Sequence, residues 1–270
     1  MASSELDRIV DAVISGAHYK YVSPDFVRRV AEGESDKGKS FKETIKAVKN
    51  KLHQVGGAYQ PGQMNYGQWL KQIDEVAASG DEADLRTTCA MIMAHHASTR
   101  ERLDFIDVFY REIFAAVNRP ASVIDIACGL NPLALPWMDL PTETRYLAVD
   151  IYQDMTGFLN GFFRAAGING SAETTDVIEF EQPGHVDLAL VLKTIPCLEQ
   201  VDKFAGKKLL ERINATTLII SFPARSLSGR SKGMLENYEA HFLDLTSEKN
   251  WGIKKLIFPN ELVFIVEKEG

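Results

Sequence analysis

The sequence predicts an α/β protein: a seven-stranded, mostly parallel sheet preceded by an all-helical domain. Three observations predict it. Apolar residues follow helical spacing as far as Asn118-Arg119-Pro120, and beyond that stop the pattern becomes a short alternation of strands and helices. Strands alternating with helical segments argue for parallel pairing with helices on both faces of the sheet. The last two strand candidates are parted only by Pro259-Asn260-Glu261. A parallel crossover needs a dozen or more residues, so these two must form an antiparallel hairpin. The expected division is a helical domain over residues 1–97 and a sheet domain over 98–270.

Taken in order, Leu6, Ile9, Val10, Val13 and Ile14 mark a first amphipathic helix. Ser23-Pro24 is a cap followed by a first-turn proline, and it opens a second helix carrying Phe26, Val27 and Val30. Ser40 caps a third helix with Phe41, Ile45, Val48 and Leu52 on one side and Lys42, Lys46 and Lys49 on the other, ending at Gly56-Gly57. The loop from Tyr59 to Gly67 is rich in Gln, Pro and Gly. Helices over about 68–78 and 81–94 follow it, and Ser98 or Thr99 then caps a long helix through Val117. Strands are expected at 122–127, 146–150, 171–175, 187–192, 217–221, 251–258 and 262–267, with helices at 154–166 and 203–213.

Composition is ordinary for a globular chain: 270 residues, 45% hydrophobic and 25% charged. The apolar runs are strand-sized, so no membrane span is expected, and the N-terminus carries no basic-then-apolar signal segment. Three cysteines, far apart and odd in number, point to a reducing, cytoplasmic setting and to no disulfide framework. No Cys/His spacing matches a zinc site, and His95-His96 point about 100° apart on a helix, too divergent to share an ion. The net charge of −7 argues against a uniformly basic nucleic-acid binder. The charge is nonetheless uneven. Lys20 to Lys51 holds nine basic residues against five acidic ones, and Arg225, Arg230 and Lys232 stand together without an acid. Such patches are either solvated faces or local RNA-binding faces. Nothing points to an obligate dimer, so a monomer is expected.

The stretch Ser122-Val-Ile-Asp-Ile-Ala-Cys-Gly-Leu-Asn-Pro132 carries the chemistry. A β-branched strand runs into a small-residue turn at Gly129, which lets a ligand approach the backbone. The dinucleotide fingerprint G-x-G-x-x-G is absent. The turn instead resembles motif I of S-adenosylmethionine (SAM) methyltransferases, and the strand layout resembles their Rossmann-like sheet. In an open α/β sheet the ligand lies beyond the C-terminal strand ends. Asp150 ends strand two, where one carboxylate accepts both hydroxyls of a ribose. Asp176 follows strand three and either accepts from an adenine amino group or serves as a loop cap. Arg100 and Arg102 lie on the first turn of the helix that feeds strand one and suit a methionyl carboxylate, if they are not simply surface residues of a capped helix.

A more specific resemblance rests on ordered blocks along most of the chain. His96-Ala-Ser-Thr-Arg-Glu-Arg102 is similar to the H-x-S-T-x-E-R signature of the aminoglycoside-resistance 16S ribosomal RNA (guanine-N7) methyltransferases of the Arm/Kgm type. The match continues through Lys51-Leu-His-Gln54 with Gly57-Ala-Tyr59, through Asp125 to Pro132, and through Leu192-Lys193 with Pro196 and Leu198-Glu199. It is densest in Ser221-Phe-Pro-Ala-Arg-Ser-Leu-Ser-Gly-Arg230 and Gly233-Met234 with Asn237-Tyr238. The resemblance implies SAM as cofactor and, as acceptor, a guanine N7 in the decoding site (helix 44) of 16S rRNA within the assembled 30S subunit. It further implies that Arg102 meets the methionyl carboxylate, Asp150 the ribose, and Asp176 with Val177 the adenine. His96, Ala127, Gly129, Ile151 and Leu192 would complete the cofactor site. Lys193, Arg225, Arg230, Lys232 and Met234 would meet the target nucleotide, and Arg28, Arg29, Lys42, Lys46, Lys49 and Lys51 would dock the helical domain on the subunit. The loop from Gln60 to Gly67 belongs to none of the matching blocks.

Guanine N7 has a free lone pair and no proton to lose, so its methylation requires in-line positioning and no general base. No acid/base dyad is expected. Pro196-Cys197 at the end of strand four invites a cytosine-C5 reading with a thiolate nucleophile, but its place beside Leu198 at a helix start suits a packed thiol. Two other readings stay open at this point: methylation of an adenine N1 in the same site, and a non-catalytic factor that binds the 30S subunit.

Overall fold

The structure is a computed structural model that describes residues 3–35, 37–60, 62–225 and 233–268. Five helices come first: α1 (Ser3–Ile14), α2 (Pro24–Ser35), α3 (Phe41–Val55), α4 (Tyr66–Ser79) and α5 (Glu82–Met93). Their ends follow local chemistry. Ser40 and Glu43 form a reciprocal capping box at α3, and the Asp81 carboxylate accepts from the Ala83 and Asp84 amides at α5. The helices α1–α3 pack on one another through Ile9, Val13, Val30, Val48 and Leu52, all buried. In contrast, α4 and α5 lie against the sheet domain: α4 packs on α8 (Gln153–Ala165), and α5 on the 3-10 segment Asn131–Trp137.

The expected long helix over 98–117 is broken. A single turn, α6 (Ala97–Arg100), and a 3-10 turn at Leu103–Phe105 precede α7 (Ile106–Phe114). The Asn260 side-chain amide donates to the Glu101 carbonyl at 3.0 Å, satisfying the interrupted backbone. The break turns Arg102 inward, to complete burial. Amphipathic spacing cannot show such an interruption, because the apolar residues on either side remain in helical phase.

The sheet holds β1 (Ser122–Ile126), β2 (Arg145–Asp150), β3 (Gly170–Thr174), β4 (Val186–Leu192), β5 (Ala215–Pro223), β6 (Gly252–Phe258) and β7 (Glu261–Glu267). Between β4 and β5 lie α9 (Ile195–Leu198) and α10 (Ala205–Arg212); α11 (Met234–Thr246) precedes β6. The strand order is β3-β2-β1-β4-β5-β7-β6, parallel through β5, with β7 antiparallel to both β5 and β6. Every expected strand is present to within two residues at either end. The hairpin closes at Phe258 opposite Glu261, with Pro259-Asn260 as its turn. β7 is buried from Glu261 to Val266 because it lies between two strands, whereas β6 is the edge and carries Lys254 and Lys255, which discourage further pairing. Strand order reverses between β1 and β4, and this switch point is where such sheets open a crevice.

Candidate functional site

A cavity opens at the switch point, where ligands of such sheets bind. Its floor is the turn after β1. Ala127 and Gly129 have φ of 51° and 53°, and Lys193 after β4 has 57°. Left-handed backbone at non-glycine residues costs about 1 kcal/mol or more each, and two such residues at one cavity mark a site held in place by its surroundings. A β-carbon on Gly129 would lie 2.8 Å from His96 Cε1, so glycine makes the space in which the imidazole lies against the turn.

Asp150 ends β2 inside this cavity. One of its carboxylate oxygens accepts from the Gly129 amide at 2.9 Å and the other from the Ile151 amide at 2.7 Å. Burial pushes its pKa up to about 6 against the pull of those amides. The Tyr152 amide bonds the carboxylate as well, and the acceptor capacity that remains faces a hydroxyl donor. His96 stacks on Tyr59 with ring centroids 6.1 Å apart, and its Nδ1 is buried without a partner. Burial first, then the charges of Lys193, Arg102 and Arg100, lower its pKa to about 4, so the ring is a neutral hydrogen-bonding group.

Behind these residues lies a buried ionic cluster. Arg102 makes a two-point pair with Glu261 at 2.7 and 3.1 Å and donates to Asn131 Oδ1 at 2.8 Å. Lys193 Nζ sits 2.7 Å from Glu101 and 3.6 Å from Glu261. Burial alone would raise the Glu261 pKa, but Arg102 and Lys193 hold its carboxyl below the usual range. One carboxylate at the start of β7 therefore fixes both cations that reach the cavity. Asn131 passes the order onward, donating to Asp125 at 2.9 Å, which also accepts from Tyr146 at 2.7 Å.

Of the residues singled out in the sequence, His96, Arg102, Ala127, Gly129, Asp150, Ile151, Val177, Leu192 and Lys193 all line this cavity. Asp176 stands behind the wall. Its carboxylate accepts from Arg29 Nε and from the Ile178 amide, and only Val177 beside it faces the cavity. Arg29, expected on an RNA-docking face, is thus engaged within the chain, as is Arg28, which pairs with Asp7. Lys42 and Lys46 are exposed on α3, Lys49 and Lys51 are half-buried, and none of the four makes an ion pair among the described residues. Arg225 is exposed after β5 and Met234 begins α11, whereas Arg230 and Lys232 lie outside the described residues.

Sequence reasoning did not place Phe26, Tyr59, Gln60 or Ser98 in the cavity wall, nor Glu261 behind it. Phe26 carries only the signal of a helix core residue. Tyr59 and Ser98 fell inside recognised blocks without a role of their own, and Glu261 looked like part of a turn. Cys197 Sγ lies 3.4 Å from the Lys193 carbonyl, which accepts its one S–H, and 3.2 Å from Tyr59 Oη, and burial raises its pKa, so the thiolate is disfavoured.

These residues fit the cofactor expected from the sequence. The carboxylate of Asp150 suits a diol, the orphaned Nδ1 of His96 needs a polar partner, and the apolar wall of Ile151, Val177 and Leu192 suits a flat base. The guanidinium of Arg102 supplies positive charge at the cavity, although Glu261 already takes two of its donors. Among the described residues no group of three or more His, Cys, Asp or Glu is placed to hold a metal, and no described helix is long and apolar enough to cross a membrane.

Comparison with known proteins agrees with this geometry. A family model described as "Ribosomal RNA methyltransferase (FmrO)" matches residues 15–265. A 16S rRNA (guanine(1405)-N(7))-methyltransferase from Micromonospora echinospora is 35% identical over 97% of both chains. One of the same name from Frankia casuarinae is 37% identical over 97% of this chain and 94% of its own. Among solved structures, the 16S rRNA methyltransferase RmtF in complex with S-adenosyl-L-homocysteine superposes with a TM-score of 0.82 at 29% identity over the whole of both chains. The 16S rRNA methylase RmtB does so with 0.78 at 28% identity over 98% of each.

Proposed function

Because the chain belongs to the FmrO family of ribosomal RNA methyltransferases, we propose that it methylates N7 of a guanine in the decoding site of 16S rRNA, acting on the assembled 30S subunit. The observation that carries this reading is the cavity at the β1/β4 switch point: it joins a diol-binding carboxylate to a neutral imidazole and fixed cations. When bound, SAM supplies an electrophilic methyl on a sulfonium.

The chain's own work is positional. Asp150 and the Gly129 turn orient a nucleoside, and Val177, Ile151 and Leu192 exclude water from it. Lys193, held by Glu101 and Glu261, is a fixed positive charge at the cavity beneath the strand ends. A fixed cation there can hold an acceptor's anionic or carbonyl oxygen without having to reorganise. His96 is neutral and accepts no proton in the working range, which suits an acceptor that loses none. The raised pKa of Cys197 speaks against the cytosine-C5 route. The exposed lysines of α3 and, separately, exposed Arg225 are basic groups on an otherwise acidic chain, of the kind that docking on folded RNA uses.

The test is transfer of label from radioactive SAM to 16S rRNA in 30S particles, at a position that borohydride and aniline then cleave. Unlabelled particles would overturn the proposal, and label at an uncleaved adenine would move the acceptor to adenine N1. A methyl and a positive charge at that N7 would repel a bound cationic drug. Expression is therefore expected to protect a host from gentamicin and kanamycin. A host that stays sensitive although its ribosomes are methylated would contradict that consequence.

A further inference from the structure

Helix α2 belongs to the helical domain, yet it is fastened to two of the loops that carry cofactor-facing residues. At its start the Ser23 amide donates to the Ile151 carbonyl at 2.7 Å, and the Gln153 amide to the Tyr21 carbonyl at 2.8 Å. Its Phe26 forms part of the cavity wall. One turn on, Arg29 donates through Nε to Asp176 and approaches Glu179 at 3.2 Å through Nη1. The other Asp176 oxygen accepts the Ile178 amide at 3.0 Å, so the carboxylate folds its own loop around Val177 while Arg29 holds it from outside. The groove around this pair is also lined by Asp25, Arg28 and Glu32, giving four acids to two arginines. That balance repels phosphate.

We propose that Arg29 is a positioning residue for the cofactor, which through Asp176 and Glu179 holds the 175–179 loop and presents Val177 to the cavity, and that it makes no contact with RNA. The proposal rests on SAM as the occupant of that cavity. It makes the helical domain a part of cofactor binding as well as a docking surface.

The test is the dissociation constant of SAM, by calorimetry on the free protein, set beside 30S affinity measured over a salt series. Arg29→Met is expected to weaken SAM binding about tenfold, the loss of one charge-assisted hydrogen bond pair, and to leave the salt slope of 30S binding unchanged. Asp176→Asn is expected to do the same, and the double variant to be no worse than the weaker single one. Arg29→Lys separates the two roles even if the methionine variant does not fold. It keeps a phosphate-binding charge but has no Nε–H and no planar fork for the two carboxylates. Weakened SAM binding with intact 30S affinity supports the proposal. Unchanged SAM affinity in Arg29→Lys or Arg29→Met, or a 30S salt slope reduced by about one in Arg29→Met, overturns it. In that event SAM binding by the unaltered protein still stands as the check on the cavity's occupant.

Discussion

Asp150 and His96 lie in one cavity, and burial moves their pKa values in opposite directions for one reason: both lose solvation of their charged form. A diol donates to a carboxylate better than to a carboxylic acid. SAM affinity is therefore expected to fall as pH drops through about 6, where Asp150 takes up a proton, and calorimetry across that range checks it. The His96 ring is expected not to titrate between about pH 5 and 8, as read from its NMR resonance. Its depressed pKa contributes stability above the unfolded value, and that contribution is lost as pH falls toward about 4. Gly129 has a positive φ and no room for a methyl group against the imidazole. Gly129→Ala should cost about 1–2 kcal/mol in chemical denaturation and abolish measurable SAM binding. Cys197→Ala should retain methyl transfer to 30S particles. Its loss would revive a nucleophilic thiol.

The elements that matter are joined at their ends. β7 begins with Glu261, which is buried between Arg102 of the α6–α7 break and Lys193 of the β4 turn. Replacing one member of a buried pair leaves the other charge uncompensated. Glu261→Gln is expected to destabilise the protein by about 3–5 kcal/mol in denaturant titration, far beyond a surface exchange. Asp125 on β1 is the counterexample, a buried carboxyl pushed up to about 7 by its surroundings. The fold favours its protonated form, so its contribution to stability is present below the unfolded pKa and fades as pH rises toward about 7. Asp125→Asn should flatten that decline, which thermal unfolding over the same range would show. The interface of α4 with α8 is set by a small residue: a β-carbon on Gly161 would meet the Leu70 methyls at 2.7 Å.

At the scale of the whole molecule, exposed basic groups stand on an acidic chain. The chain carries −7 overall, while α3 presents exposed Lys42 and Lys46, and Arg225 stands beyond β5. Binding to 30S subunits should weaken steeply with salt, and each phosphate contact removed by Lys42→Ala or Lys46→Ala should lower the slope by about 0.7–0.9. SAM affinity should not change in these variants, because neither lysine lines the cavity. The helical part is not an appendage. Phe26, Val55, Tyr59 and Gln60 from it wall the cavity, and α4 and α5 pack on the sheet domain, so the two parts share one core.

The sequence by itself determined the strands, the closing hairpin and the glycine turn after β1, and it singled out Asp150, His96 and Arg102. Each of these is a local signal: apolar period, turn chemistry, or an ordered block of residues. Only the tertiary structure decided who partners whom. It broke the 98–117 helix to bury Arg102, supplied Glu261 from the far end of the chain, and took Arg29 from the surface to Asp176. The physical reason is that a charge acquires its role from what lies within a few ångströms in space. Residues separated by 147 or 159 positions leave no periodic trace of that meeting in the sequence.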